Sequence, residues 1–510
     1  MWGAALLAGA LALLAWCVAF LRRRASHWRA RGLPHLRPRL LFGNALAYAL
    51  SRQSCAQLLE DAYRRLAGHA LGGFHLLWRP ALLVRDPALA GRLLVHDFES
   101  FRDRGYRPFD PMLQDLFFLR GDHRWRTLRE SLEPGFGPKG ARYLFFLLDE
   151  MALRLVKVLE TPAERCLELE VFEQMQRFVI DTVGTCAFGV EFETMLNYDS
   201  FVLKETQRMI SGSFLKKIKK TLLLAVPETA RAMGMRFVRP EDAAVFRWLT
   251  AEIVAHRRRN NVRRGDLIQL LMALAAKEAD AGQKDGFGGE MLSAQVMLLL
   301  MLGRQKVAAA LAFCLHLLAA HPEEQTRARV QVDAALRRHH QQLSLQALQD
   351  MPYLDMVLSE TLRLHPPMSN VTRGCTAAYT FRGASRLGDG CLRLQPGEAP
   401  VMVPVCALHR DPAYFPQPDR FLPDRFAPDN ASQHTPYTYM PFGAGKRSCL
   451  GEHLSLVLMK TTLARLLSRY ELFPSPRTEY PSPVDPRQLL LSPRDGLWIK
   501  ISNRHWLPCD

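Results

Sequence analysis

"PFGAGKRSCLGEHL", residues 441 to 454, is the stretch whose reading decides the fold. Its glycines, Lys446 and Ser448 invite a phosphate-loop reading, but that pattern needs a glycine five residues before Gly445, and Met440 stands there. The stretch makes sense around Cys449 instead. Gly443 and Gly445 permit a tight turn that brings backbone N–H groups toward one sulfur, and Arg447 adds a positive charge two residues away. A helix starting near Leu450 would turn its positive dipole end toward the same sulfur, which favours a thiolate. Such a cysteine is suited to be an anionic metal ligand, whereas a lone C-x-G would read as a buried structural thiol. A second imitation of nucleotide chemistry, "LHRDP" (408 to 412), fails because Pro416 stands where a kinase loop requires asparagine.

The surrounding chain has room for a large core: 510 residues, 48% hydrophobic and 23% charged, with a net charge of +17 that favours acidic partners. The first 21 residues carry no charged side chain, and Arg22 to Arg24 follow directly. At about 1.5 Å per residue such a helix reaches roughly 30 Å, the thickness of a bilayer core, and basic residues after it keep the body on the cytosolic side. The sequence therefore predicts an anchor over 1–21, a basic, proline-containing hinge over 22–44 and one domain over 45–510. Two sequons, at Asn370 and Asn430, oppose that topology mildly, since an exported body could be glycosylated there. Ten cysteines with no C-x-x-C pair exclude a zinc module and argue against a disulfide framework. The basic runs "HRRRNNVRR" (256 to 264) and "LKKIKK" (215 to 220) lack any nucleic-acid module, so no nucleic-acid partner is expected. The first reads as solvated surface; the second, followed by "TLLLAVP", reads as a contact with membrane lipid. Helical periodicity dominates from about 140 to 360, while strand-like pieces flank "GGFHLLWRPALLVRDP" (72 to 87) and fill the proline- and glycine-rich last third. The fold class is mainly α with a small β region.

The full pattern F-G-x-G-x-R-x-C-x-G, met by Phe442, Gly443, Gly445, Arg447, Cys449 and Gly451, resembles the haem-binding loop of the cytochrome P450 family. "SETLRLHPP" (359 to 367) resembles that family's E-x-x-R helix, where Glu360 and Arg363 share one face and can pair. "FLPDRF" (421 to 426) is similar to its P-E-R-F segment, with Asp424 in place of glutamate and Arg425 as third member of the network. "WRTLR" (125 to 129) is similar to its W-x-x-x-R helix. Details such as "DFESFRDRG" (97 to 105) and "DTVGTCAFG" (181 to 189) look most like the insect microsomal branch.

The resemblance implies the cytochrome P450 fold and haem b bound axially through Cys449, whose thiolate favours O–O cleavage. It implies that Trp125, Arg129, Arg373 and Arg447 hold the propionates beside Phe442, and that Glu360, Arg363 and Arg425 are structural. It also implies an endoplasmic reticulum membrane protein that takes electrons from NADPH-cytochrome P450 reductase, with cytochrome b5 as a further donor, and oxidises lipophilic small molecules. The substrate chamber would draw on Phe109 to Phe118, the 200s, Leu298 to Leu302, Met368 to Val371 and Leu489 to Leu491.

One stretch departs from the family. "MLGRQKVAAAL" (301 to 311) aligns with its A-G-x-[DE]-T motif on the central distal helix, where the acid and hydroxyl organise water and protons, but Gln305 and Lys306 replace that pair. Gln305 hydrogen-bonds without being an acid, and Lys306 offers three donors and no hydroxyl. Both are expected at the catalytic position, and the facing of Arg304 is open. Three readings follow: a monooxygenase with proton delivery from elsewhere, a haem-thiolate isomerase or peroxygenase using preformed peroxides, and a non-catalytic haem-binding membrane protein.

Overall fold

The computed structural model describes residues 2–105, 110–116, 119, 121, 123–210, 213–280, 288–384 and 390–504. The architecture is mainly helical with three small sheets, as the periodicity predicts. Gly289–Ala320 is one 32-residue helix, apolar on nearly every side and largely buried, which marks it as the spine of the core. Its alanines 308 to 310 and 312 let it approach the helix Val171–Val183 closely, and the two form the most extensive helix pair among the described residues. A π turn at Leu299–Gly303 widens the spine just before Arg304.

The largest sheet brings distant segments together. Leu71–Leu76 pairs antiparallel with Arg79–Val84, which runs parallel to Pro400–Val403, and Val371–Gly374 closes the sheet antiparallel to the latter. The proline-broken segment before residue 45 is packed onto this sheet. Trp28 is fully buried and its Nε1 donates to the Phe74 carbonyl at 3.1 Å. A Cβ on Gly73 would lie 2.5 Å from the Trp28 ring, so glycine is what lets the indole sit there. Trp28 is thus packed into the folded body.

Ahead of it, the helix Trp2–Ala25 continues through Arg22–Arg24 and past the expected end at 21, and its apolar window Ala5–Ala25 is 0% buried. In each basic run one residue departs from expectation. Arg257 is buried, donating to both Asp266 oxygens at 2.8 and 2.5 Å and to the Phe188 carbonyl at 2.8 Å, so the first run is not wholly solvated. Lys217 is buried with its ammonium 3.4 Å from the centre of the Tyr48 ring, a cation–π contact that ties the second run to the body. Eight described cysteines are free, Cys449 among them, while Cys166 is disulfide-bonded, a single link rather than a framework.

Candidate functional site

A chamber of about 780 Å³ lies between the central helix and the loop that ends in Cys449, within the usual range for small-molecule sites of about 300–1,000 Å³. The loop owes its shape to two left-handed glycines, Gly443 at φ +77° and Gly445 at φ +71°, and a Cβ on Gly445 would sit 2.2 Å from the Leu94 carbonyl. The Cys449 N–H donates to the Phe442 carbonyl at 2.9 Å, which closes the turn and leaves the sulfur exposed within the chamber. The next helix, Glu452–Arg469, begins three residues after the sulfur.

Arginines gather at one side of the chamber. Trp125 and Arg129 are four apart on the helix His123–Phe136, so they share a face; Arg129 Nη1 donates to the Ser448 carbonyl at 2.9 Å. The Arg447 guanidinium lies over the Trp125 ring at 4.1 Å. Arg373 is buried in the strand Val371–Gly374, where among the described residues Nη1 reaches only its neighbour's carbonyl and both Nε and Nη2 lack partners. Burial, then the adjacent Arg104 and Arg447, push Arg373 well below the ordinary arginine range. Arg104 belongs to the same cluster: its Nη2 donates to the Arg447 carbonyl at 3.3 Å and its Nε is unsatisfied. Burial pushes it down to about 10, opposed by the Cys449 sulfur. Unsatisfied guanidinium nitrogens at such density require anionic oxygens between them, and the two carboxylates of a haem meet that demand. Gly303 fits the same group, since a Cβ there would meet only Leu299, at 3.9 Å, and the helix is bare where it lines the chamber.

Sequence reading missed Arg104. It sits in "FRDRG" with no spacing that separates it from Arg102, and long-range bonds such as Gly374 N–H to the Asp103 carbonyl and Thr376 N–H to the Ser100 carbonyl, each 2.8 Å, bring that loop beside Arg373.

Behind the loop, Glu360 and Arg363 are fully buried on the helix Pro352–Leu364, joined by bonds of 2.7 and 2.9 Å. Arg363 also donates to the carbonyls of His409 and Pro418 at 2.8 and 2.7 Å, and Glu360 accepts from the Leu422 N–H at 2.9 Å. Arg425 joins more loosely, 3.4 Å from Glu360. Asp424 faces outward to Arg327 at 2.9 and 2.7 Å and takes no part. His409 carries no sequence signal of its own. Its Nε2 accepts from the Met440 N–H at 2.9 Å, so the ring carries its proton on Nδ1, toward the Arg363 carbonyl at 3.3 Å. That chain of bonds ties the buried pair to the start of the cysteine loop.

The polar triplet of the central helix divides between two faces. Arg304 is buried away from the chamber, donating to Thr206 Oγ1 at 2.5 Å and Gln176 Oε1 at 2.9 Å. Gln305 accepts from Gln176 Nε2 at 3.0 Å and donates to Ser492 Oγ at 2.7 Å and the Leu491 carbonyl at 3.3 Å. Gln305 is thereby turned out of the chamber, and the catalytic position expected of it is not where its side chain lies. Lys306, about 100° further round the helix, lines the chamber. Expected lining residues Leu298, Leu299, Met301, Leu302, Met368 to Val371 and Leu489 to Leu491 are there; Leu300 is buried elsewhere, and Phe109, Phe117 and Phe118 lie outside the described residues.

Comparison with known proteins agrees with this geometry. The family model described as Cytochrome P450 matches residues 33–499. The chain belongs to the cytochrome P450 family. It is 31% identical to probable cytochrome P450 6a13 of Drosophila melanogaster, over 94% of this chain and 95% of that protein. Cytochrome P450 9e2 of Blattella germanica is 29% identical over 93% of both chains, and cytochrome P450 6A1 of Musca domestica 29% identical over 97% and 96%. The insect resemblance read from the motifs is therefore borne out, as are the mainly α fold and a cysteine-ligated haem b as cofactor. The family also brings the monooxygenase class of reaction and the need for a redox partner.

Proposed function

We propose that this is a membrane-anchored monooxygenase of the endoplasmic reticulum that oxidises lipophilic small molecules with O2, its electrons coming from NADPH through a flavoprotein reductase, with cytochrome b5 as an additional donor. The observation that carries the reading is Cys449 held at the wall of a largely apolar chamber by a glycine-enforced turn, with the arginine cluster beside it. In this reading Cys449 is the axial ligand, and Arg104, Arg129, Arg373 and Arg447, with Trp125, hold the propionates while Phe442 packs under the loop. The bound haem supplies the oxidising chemistry. The chain's own part is to exclude water with apolar walls, to hold the sulfur as an anion and to fix the prosthetic group through buried arginines.

Anchoring rests on the exposed apolar helix Trp2–Ala25, whose basic last turn suits a cytosolic body. The sequon at Asn370 fits that topology: its Nδ2 is engaged with Thr372 Oγ1 at 2.7 Å on the chamber wall.

Since Gln305 is turned away and Lys306 replaces the hydroxyl, the chain lacks the usual acid and alcohol beside the chamber. That favours the peroxide-using alternative as second reading. Turnover measured with NADPH and reductase, against turnover with added hydroperoxide, separates the two. Product that depends on NADPH supports the monooxygenase; product only with hydroperoxide replaces it with the second reading.

A further inference from the structure

Lys306 lines the largely apolar chamber with no carboxylate bonded to it among the described residues. Among the described residues it has no hydrogen-bond or ion-pair partner, while its neighbours Arg304 and Gln305 are bonded on the other face, Arg304 through both Nη atoms. Leu302, Val307 and Ala310 flank it on the same helix face. Burial and the nearby Arg104 disfavour its charge, and the Cys449 sulfur favours it, which sets Lys306 within electrostatic reach of the thiolate. An ammonium enclosed in this way is costly until an anion reaches it.

Among the described residues no carboxylate supplies that anion, and the Cys449 thiolate would be committed to the iron. The three acidic residues on the chamber wall are committed elsewhere: Asp242 to Arg239 and Arg208, Asp266 to Arg257, and Asp485 to Arg487. Nor are the two haem carboxylates spare, since four arginines, Arg104, Arg129, Arg373 and Arg447, already gather where they would lie. Among the described residues no counter-ion remains for Lys306, so a ligand would bring one.

We propose that Lys306 is a specificity-determining residue that binds the head group of a lipophilic monoanion, an apolar chain or ring system ending in a carboxylate, with the apolar part against the leucine and methionine walls. The inference rests on the haem-chamber reading above and names its substrate class. A carboxylate accepting from the Lys306 ammonium forms a charge-assisted hydrogen bond in a low-dielectric space, where such bonds are strongest. A neutral ester of the same chain fills the same walls and leaves the ammonium unpaired.

The test uses the full-length, haem-loaded ferric protein in detergent, with dodecanoate and its methyl ester as probes and no reductase present. Affinity is read by equilibrium dialysis and by the change in the haem spectrum. The parent binds dodecanoate roughly 10- to 100-fold more tightly than the ester, from the usual worth of a hydrogen bond to a charged group. Lys306→Met loses that preference and keeps its affinity for the ester, and Lys306→Arg retains the preference. Equal affinity of the parent for acid and ester overturns the inference even if no variant folds. So does equal weakening of both ligands by Lys306→Met. A ligand-free spectrum that changes in Lys306→Met without any change in acid binding also overturns it, because the amine would then be occupied at the iron. Haem-loaded protein that prefers the acid but, in a separate assay with NADPH and reductase, shows no turnover leaves the inference standing and refutes the monooxygenase reading alone.

Discussion

Glu360→Gln tests whether the buried pair behind the cysteine loop is as consequential as its geometry implies. The substitution keeps the shape of the side chain and removes the one carboxylate in contact with Arg363, a guanidinium fully buried and otherwise bonded only to carbonyls of His409, Pro418 and Arg420. Removing one member of a buried ion pair typically costs about 3–5 kcal/mol. The Leu422 N–H, which relies on Glu360 at 2.9 Å, adds up to about 1–3 kcal/mol if it is left unsatisfied. Asp424 provides the internal control. It too is a carboxylate bonded to an arginine by two short contacts, but it is 57% exposed, so Asp424→Asn costs about 0–1 kcal/mol. Urea unfolding of the holo-protein, followed in parallel by far-ultraviolet circular dichroism and by loss of the haem band, reads both variants. Glu360→Gln should unfold at clearly lower urea, with haem lost first because the strain reaches Met440 through His409. A midpoint for Glu360→Gln no lower than that for Asp424→Asn would refute the reasoning.

Arg104→Leu should act with opposite signs on the two forms of the protein. It should raise the rate of haem transfer to an apoglobin acceptor roughly 10- to 100-fold, the worth of one charge-assisted bond, and should stabilise the haem-free protein by relieving repulsion with Arg373; slower transfer or a weakened haem-free form would contradict this. Acid should destabilise the fold through His409, which burial and then Arg363 push down to about 3. Its folded pKa is depressed, so its contribution is complete above the unfolded value near 6.5 and is lost as pH falls from there toward 3, about 1.4 kcal/mol per pH unit. Unfolding midpoints of the parent should therefore drop between pH 6.5 and 5, more steeply than those of His409→Phe; parallel profiles would exclude the histidine as a cause.

Local patterns that depend on short spacing are legible in the sequence alone. The glycines around Cys449 dictate a turn, Glu360 and Arg363 three apart dictate a pair, and Trp125 and Arg129 four apart dictate a shared face. What the sequence hides depends on long-range packing. Arg104 joins Arg373 because the Ser100 and Asp103 carbonyls bond the Thr376 and Gly374 N–H groups. His409 matters only because chain folding sets its ring between Arg363 and Met440. Lys217 reads as a membrane contact because a charged run beside leucines gives no sign that Tyr48, some 170 positions away, covers one lysine. Gln305 and Lys306 are adjacent in the chain and face opposite ways, a division that follows from about 100° per residue but whose direction only the packed helix fixes.

The central claim is that Cys449 holds the iron. The carbon monoxide difference spectrum of the dithionite-reduced protein reports thiolate ligation directly, and Cys449→Ser should abolish the thiolate band while Cys186→Ser, Cys314→Ser and Cys406→Ser, at buried thiols outside the loop, keep it. A thiolate band that survives in Cys449→Ser would contradict the account.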